Sequence, residues 1–329
     1  LEAAARNGHH FSASRFKTQH KQILQAAFSA ADIGGILSNV QAKFLLAGWN
    51  SVEPTWERIA AIGTVNNFKE TSFYRLTSAG TWEEVGPNGE LNHGKIAEDG
   101  YTNRAKTYGE LIAITRQMQV NDDLNALADI PRMLGRKAAL TLAKVFWKKF
   151  LSSKSTLFPV DNSRLNYFDG AASALSSTSL STAVQMFREQ TDSENNPLGV
   201  EPAILLVAPS NESTADELYV SKNINTGGAS TSTKVPNNNT HAGKYKPEVS
   251  SYLSNSSIDA AADSVNWFLL ADPQDLAVMQ VVFLDGKRNP TVETAEADFG
   301  TLGIQTRAYS DWGVNTHEYR AGVMSKGKA

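Results

Sequence analysis

The 329-residue chain contains no cysteine, and that one absence excludes disulfides, thiolate zinc sites, iron–sulfur clusters and cysteine nucleophiles. Long apolar runs are missing too. Stretches such as Ala203–Ala208 and Trp267–Ala271 fall far short of the ~18 residues a membrane-spanning helix needs, so no membrane partner is expected. Charge of one sign is also lacking: 31 basic residues stand against 34 acidic ones, a net charge of -3, which gives the chain as a whole no polyanion-binding signature. What it does have is bulk. Its length suggests roughly two structural units, and a hydrophobic content of 41% is enough for a sizeable core.

Catalytic signatures are absent as well. No Gly-x-x-x-x-Gly-Lys-Ser/Thr loop offers backbone amides to phosphate, no Gly-x-Ser-x-Gly elbow lifts a serine above a sheet, and Gly227-Gly228 lie in a polar stretch. His317-Glu318 lacks the second histidine four residues on that would complete a zinc-binding helix face. The adjacent acids Asp122-Asp123 and Glu83-Glu84 are accounted for by a helix dipole and by solvation, because sequence neighbours rarely converge on one substrate. The sequons at Asn211, Asn238 and Asn255 are what chance gives in a chain this rich in Asn and Ser. No catalytic, cofactor-binding or metal residue is assigned, and the chain is read as a non-enzyme.

The pattern along the chain is that of an α+β protein. Residues 1–62 form a basic arm and lead-in, with Arg6, Arg15, Lys17 and Lys21 facing the single acid Glu2 over the first 31 residues. Phe16, His20, Ile23, Leu24, Ala27 and Phe28 recur at helical spacing, giving a short amphipathic helix that packs on its own domain or docks, through Phe16 and Ile23, on a neighbouring subunit. Residues 63–121 alternate like an extended ribbon, with turn signals at Ser78-Ala79-Gly80 and Gly86-Pro87-Asn88-Gly89. Its arms, near 72–77 and 111–116, are expected to fold back on each other. A two-stranded ribbon is marginal in water; its support is either its own core or another copy, with Trp82, Val85 and Leu91 as apolar anchors near the tip.

From 122 onward the clearest helix follows. Asp122, Asp123 and Asp129 gather before it, Pro131 falls in its expected first turn, and Lys144, Lys148 and Lys149 gather at its end. Leu134, Ala138, Leu142, Val145 and Phe146 make its apolar stripe, while Lys137, Lys144 and Lys148 lie along a narrow basic strip. A run of about 23 residues from Ile130 would be about 35 Å long, a spine over 129–152. Beyond it the pattern predicts a helix over 179–190, a buried strand over 203–208, a helix over 210–219, and a long polar loop over 221–243. Strands over 267–270 and 278–284 follow, and a closing alternation over 303–323 is expected to break at Asp311-Trp312-Gly313.

This order of elements resembles the major capsid proteins of tailed bacteriophages, especially the Mu-like major head subunits often encoded behind a prohead protease. The strings that carry the resemblance are Gly63-Thr64-Val65-Asn66-Asn67-Phe68-Lys69, Tyr108-Gly109-Glu110, Ala113-Ile114-Thr115-Arg116-Gln117, Asn121-Asp122-Asp123-Leu124, Ile130-Pro131-Arg132-Met133-Leu134-Gly135-Arg136, Leu269-Leu270-Ala271-Asp272-Pro273 and Phe299-Gly300-Thr301-Leu302-Gly303-Ile304-Gln305. Their weight lies in number and order from about residue 40 onward, since none is a catalytic motif.

The resemblance implies the Hong Kong 97-like capsid fold. Residues 63–121 would be the extended loop over a neighbouring subunit, 122–179 and 285–329 the peripheral domain, and 180–284 the axial domain. It implies self-assembly as hexamers and pentamers into an icosahedral head around double-stranded DNA, in the virion after assembly in the host cytoplasm. Implied partners are other copies, a portal, a prohead protease or scaffold, a decoration protein and, nonspecifically, packaged DNA, toward which Lys137, Lys144 and Lys148 would face from inside the shell; a plain solvated helix face is the competing reading of those lysines. Leu1 in place of an initiating Met fits either a processed end or numbering that starts within a longer product. The alternatives are a cellular nanocompartment shell around protein cargo, of the encapsulin kind, and a soluble monomeric α+β enzyme.

Overall fold

The computed structural model describes residues 41–78, 97–115, 124–192, 195–225, 236–296 and 303–327. In chain order these give a helix over 41–49 (α1), β1 (Ala60–Val65), β2 (Thr71–Ser78), β3 (Ala97–Asn103), β4 (Lys106–Thr115), the long helix α2 (Leu124–Ser152), the single turn α3 (Lys154–Leu157), β5 (Tyr167–Phe168), α4 (Ser177–Arg188), β6 (Pro202–Val207), α5 (Glu212–Val220), β7 (Asn223–Asn225), β8 (Pro236–Asn238), β9 (Lys246–Val249), β10 (Trp267–Ala271), β11 (Met279–Leu284), β12 (Thr291–Glu296), β13 (Gly303–Thr316) and β14 (Gly322–Ser325). They gather into two compact units. Of the described residues, the first takes 41–53, 107–115, 124–140, 288–296 and 303–310, and the second takes the rest. Three elements, β4 through its first residue Lys106, α2 and β13, contribute residues to both.

In the first unit β12 runs antiparallel to the opening half of β13, with Thr291 opposite Tyr309 and Glu296 opposite Ile304. Strand β4 also pairs with β13. Leu45, Leu134, Val292 and Ala308 form a small buried cluster, against which Ile112 and Ile130 pack. The helices α1 and α2 cross backbone to backbone. A Cβ on Gly48 would stand 1.9 Å from the Arg132 carbonyl oxygen, and one on Gly135 would stand 1.9 Å from that of Leu45, so only glycine admits the crossing.

The second unit is built on larger side chains. Strand β1 lies parallel to β11, from Ala60 opposite Met279 to Val65 opposite Leu284, and β11 pairs antiparallel with the closing half of β13. A separate sheet has the order β5-β14-β10-β6-β9. Every residue of β10 is buried, the reason this strand reads in sequence as an unbroken apolar run. Within this unit Phe150 and Phe158 meet Phe268 at ring separations of 5.1 and 5.7 Å, and Trp56 lies 6.1 Å from Phe146 and 6.4 Å from Phe283. Helix α4 starts at a reciprocal cap, in which the Ser176 side chain accepts from the Ser179 amide and the Ser179 hydroxyl accepts from the Ser176 amide.

Four expectations are corrected. First, the partner of β2 is β3, with Thr71 opposite Asn103 and Phe73 opposite Tyr101, not the segment near 111–116, whose described residues 111–115 lie in β4, which pairs with β13. The chain is redirected after β3 because buried Asn103 bonds the Gln280 carbonyl through Nδ2 at 3.3 Å and Ala105 packs on Val65 and Val282. Second, α2 begins at Leu124, which puts Pro131 inside the helix rather than in its first turn; packing of the adjacent Ile130 on Leu45 and Leu134 offsets the missing backbone bond. Third, β13 does not break at 311–313. Trp312 is buried there, and Gly313 serves as a close approach, since a Cβ on it would lie 2.0 Å from the Arg104 carbonyl oxygen. Fourth, the polar stretch 221–243 contains the antiparallel pair β7–β8 and buries Asn239 and His241.

Candidate assembly surface

The root of the β2–β3 ribbon is fixed within the second unit by a polar cluster. The Tyr101 hydroxyl donates to Glu318 Oε2 at 2.7 Å, and the Tyr101 ring stacks on His317 at 4.5 Å. Asn315 Nδ2 donates to the Thr102 carbonyl. Glu318 is fully buried and sits 3.4 Å from the Arg320 guanidinium, which in turn lies 4.7 Å over the Tyr319 ring. A buried carboxylate is tolerable only with such donors around it. The apolar anchors expected at the ribbon tip, Trp82, Val85 and Leu91, lie outside the described residues, as do Phe16 and Ile23 of the arm.

Helix α2 presents one exposed face. Lys137, Lys144 and Lys148, spaced by seven and then four residues, all lie on it exposed, together with Arg132, Met133, Arg136 and Leu140. Lys137 is not a bare cation, because it pairs with Glu110 at 2.5 Å, and Arg136 donates to the Ser51 hydroxyl at 3.3 Å. The two arginines were passed over in the sequence, though their i, i+4 spacing on the lysine side of the helix was there to be seen.

Chemistry is limited at the groups whose ionisation is displaced. Burial holds Lys154 below the ordinary lysine range, opposed by Asp263 and Asp259, and its ammonium donates to the Ala261 carbonyl at 2.5 Å. Burial also lowers the His241 imidazole. Its Nε2 lies 2.9 Å from the Ser181 hydroxyl and 3.1 Å from the Ser177 carbonyl oxygen. A carbonyl only accepts, so Nε2 carries the proton and cannot serve as a base toward Ser181. The other nitrogen, Nδ1, is buried without a partner among the described residues, so no acid orients the ring as a catalytic pair would require. Among the described residues no group of three or more metal-ligating side chains converges, and no described helix is long and apolar enough to cross a membrane.

A family model described as phage capsid protein matches residues 100–325, well over half of the chain. Solved structures share the fold. The capsid of a native GTA particle matches at 13% identity and a TM-score of 0.55, covering 84% of this chain and 92% of that one. The capsid of cyanophage P-SCSP1u matches at 11% identity and 0.53, covering 82% and 86%. The holo-SrpI encapsulin complex from Synechococcus elongatus PCC 7942 matches at 9% and 0.51, covering 85% and 89%. No curated protein matches the chain in sequence.

Proposed function

Because the chain belongs to the phage capsid protein family and has the Hong Kong 97-like capsid fold, we propose that it is the major head subunit that self-assembles as hexamers and pentamers into a closed icosahedral shell around double-stranded DNA. The observation that carries this is the β2–β3 ribbon: two strands that, among the described residues, pair with each other alone, anchored at the root by Tyr101 and Glu318. An isolated pair is marginal in water, and a neighbouring copy supplies the missing layer. In this reading the β2–β3 ribbon within the segment 63–121 lies over the next subunit while β1 and β4 at its ends stay on their own chain, 122–179 with 285–329 is the peripheral domain, and 180–284 is the axial domain around the hexamer and pentamer centres. The strings of residues quoted from the sequence support a position among the Mu-like head subunits. It has no catalytic role.

Assembly needs no single strong interface. Each copy makes several contacts, and closure of the shell sums them, so each contact need exceed its ordering cost by only a few kcal/mol. The exposed α2 face, with Lys137, Lys144 and Lys148, faces inward toward packaged DNA, supported by its run of cations; a portal, a prohead protease or scaffold and a decoration protein complete the virion, after assembly in the host cytoplasm. Electron microscopy of the purified full-length chain tests this. Closed shells are the expected outcome, and a monomer at all concentrations overturns the reading. The likeness to an encapsulin fold keeps one rival, a nanocompartment: nuclease-protected DNA inside shells isolated from an infected host supports the phage head, and protein cargo alone supports the rival.

A further inference from the structure

The loop that follows α3 in the second unit spends nearly all of its polar groups on its own chain. The Asn162 amide donates to the Pro159 carbonyl at 2.9 Å and the Leu165 amide to that of Asn162 at 3.0 Å. Asp161 Oδ1 accepts from the Ser163 amide at 3.1 Å, which holds the Asp161 carboxyl below its ordinary range. Asn162 Oδ1 accepts from the Tyr167 amide at 3.2 Å. Arg164 turns back, donating to the Thr156 carbonyl at 2.7 Å with its guanidinium 4.2 Å over the Tyr319 ring. Gln190 Nε2 donates to the Leu165 carbonyl at 2.8 Å.

Beside the exposed Asp161 and Ser163, this loop turns two large apolar side chains to solvent. Val160 is 68% exposed and Leu165 is 59% exposed. Leu165 also has φ +52°, a left-handed conformation that suits glycine or asparagine and strains a leucine. The backbone bonds of Leu165 hold this conformation, but its side chain gains no burial among the described residues. Strain that a well-bonded surround enforces on an outward-facing residue points to use beyond the subunit.

We propose that Val160 and Leu165 form an apolar knob that inserts into a neighbouring copy of this chain. The inference rests on the shell reading. Two side chains cover far less than the roughly 800 Å² per partner of a stable pairwise interface, so a lone partner would not stay; a contact this small is useful where every copy makes several at once. Asp161, exposed between the two, keeps its carboxylate charged, so the knob is apolar beside a single acid and repels rather than recruits a nucleic acid.

The test is the subunit concentration at which shells form, measured by light scattering and electron microscopy, beside the Tm of the dissociated subunit. Leu165→Asn removes the knob and relieves the backbone, so the Tm should hold or rise while the assembly concentration rises by about tenfold or more, the loss expected when a buried leucine contact is removed. Val160→Ser, at a position without that strain, should act in the same direction and covers the case in which the first variant folds poorly. Val220→Asn, equally exposed at 73% but outside the loop, should leave assembly unchanged. Wild-type shells with both knob variants assembling at the wild-type concentration overturn this inference alone; a wild-type chain that never assembles overturns it together with the shell reading.

Discussion

Trp147, Trp267, Trp312, Phe146, Phe150, Phe158, Phe187, Phe268 and Phe283 are all buried almost completely and all belong to the second compact unit, whereas the first contributes Leu45 to that group of large side chains. The described core of the first unit is Leu45, Leu134, Val292 and Ala308, beside buried polar atoms of Gln41, Thr306 and Ser310 that have no partner among the described residues. Aromatic bulk holds the second unit; the first relies on two glycines that let helices touch. The contrast is between a unit packed on large aromatic rings and one whose described packing depends on close backbone fit.

If the contrast is real, truncating an aromatic in the second unit does the greatest damage. Phe268→Ala removes a ring packed on Phe150 and Phe158 and should cost about 3–5 kcal/mol, read from urea unfolding followed by tryptophan fluorescence. A cost under about 1 kcal/mol would mean that the core collapses around the gap and that bulk is not what holds this unit.

For the first unit the informative change adds an atom group. Gly135→Ala lies inside a helix, where alanine is ordinarily the better residue by about 1 kcal/mol. Here the added Cβ meets the Leu45 carbonyl oxygen at 1.9 Å, so the sign reverses and overpacking should cost about 1–3 kcal/mol. Hydrogen exchange should quicken over 41–53 and 288–296 while the second unit stays protected. Uniform quickening across both units would erase the distinction between them.

How much of this was legible in the sequence follows from what each signal depends on. The buried strands β6, β10 and β11 and the stripe of α2 were visible because burial on both faces, or on one helix face, leaves a continuous or periodic apolar pattern. The partner of β2 was hidden. Its choice is set by Asn103 bonding Gln280 and by Ala105 packing on Val282, contacts far apart along the chain that leave no local trace. Gly48, Gly135 and Gly313 read as weak helix or turn residues, yet all three mark close backbone approaches. The lysine positions on α2 followed from helical spacing, whereas the presentation of Val160 and Leu165 depends on a backbone angle no composition reveals.

A smaller effect is expected where the ribbon enters the second unit. Tyr101→Phe deletes one hydrogen bond to the buried Glu318 carboxylate and should cost about 1–2 kcal/mol, with faster exchange confined to 97–103. If the ribbon root drew no stability from the larger body, exchange there would not change.

The second unit also carries a pH dependence. Burial depresses the His241 imidazole from its ordinary value, so the unfolded chain binds a proton more readily than the folded one. The contribution is therefore fully present above the ordinary histidine value of about 6.5 and is lost as pH falls below it toward the folded value. The structural cause is Nδ1, which on protonation would carry a buried N–H without an acceptor among the described residues. The strap at 239–245 is tied through Asn239 to the Leu218 and Ser221 carbonyls and should exchange faster at pH 5 than at pH 7.5 after correction for intrinsic rates. His241→Gln should flatten that difference.

The least change is expected at the ion pair of the first unit. Lys137 and Glu110 are 59% and 41% exposed, so their attraction is screened by water and offset by the entropy of holding two long side chains, leaving about 0–1 kcal/mol. Lys137→Gln should leave the Tm of the dissociated subunit unchanged, and the double change with Glu110→Gln should reveal no coupling. A marked loss of stability would mean that this pair, rather than the glycine crossing, orders the first unit. If the single variant is silent in the subunit yet weakens DNA retention in filled particles more strongly at low salt than at high, the lysine acts on the phosphate backbone through the screened charge term, and its place on the exposed face of α2 is explained by assembly and not by folding.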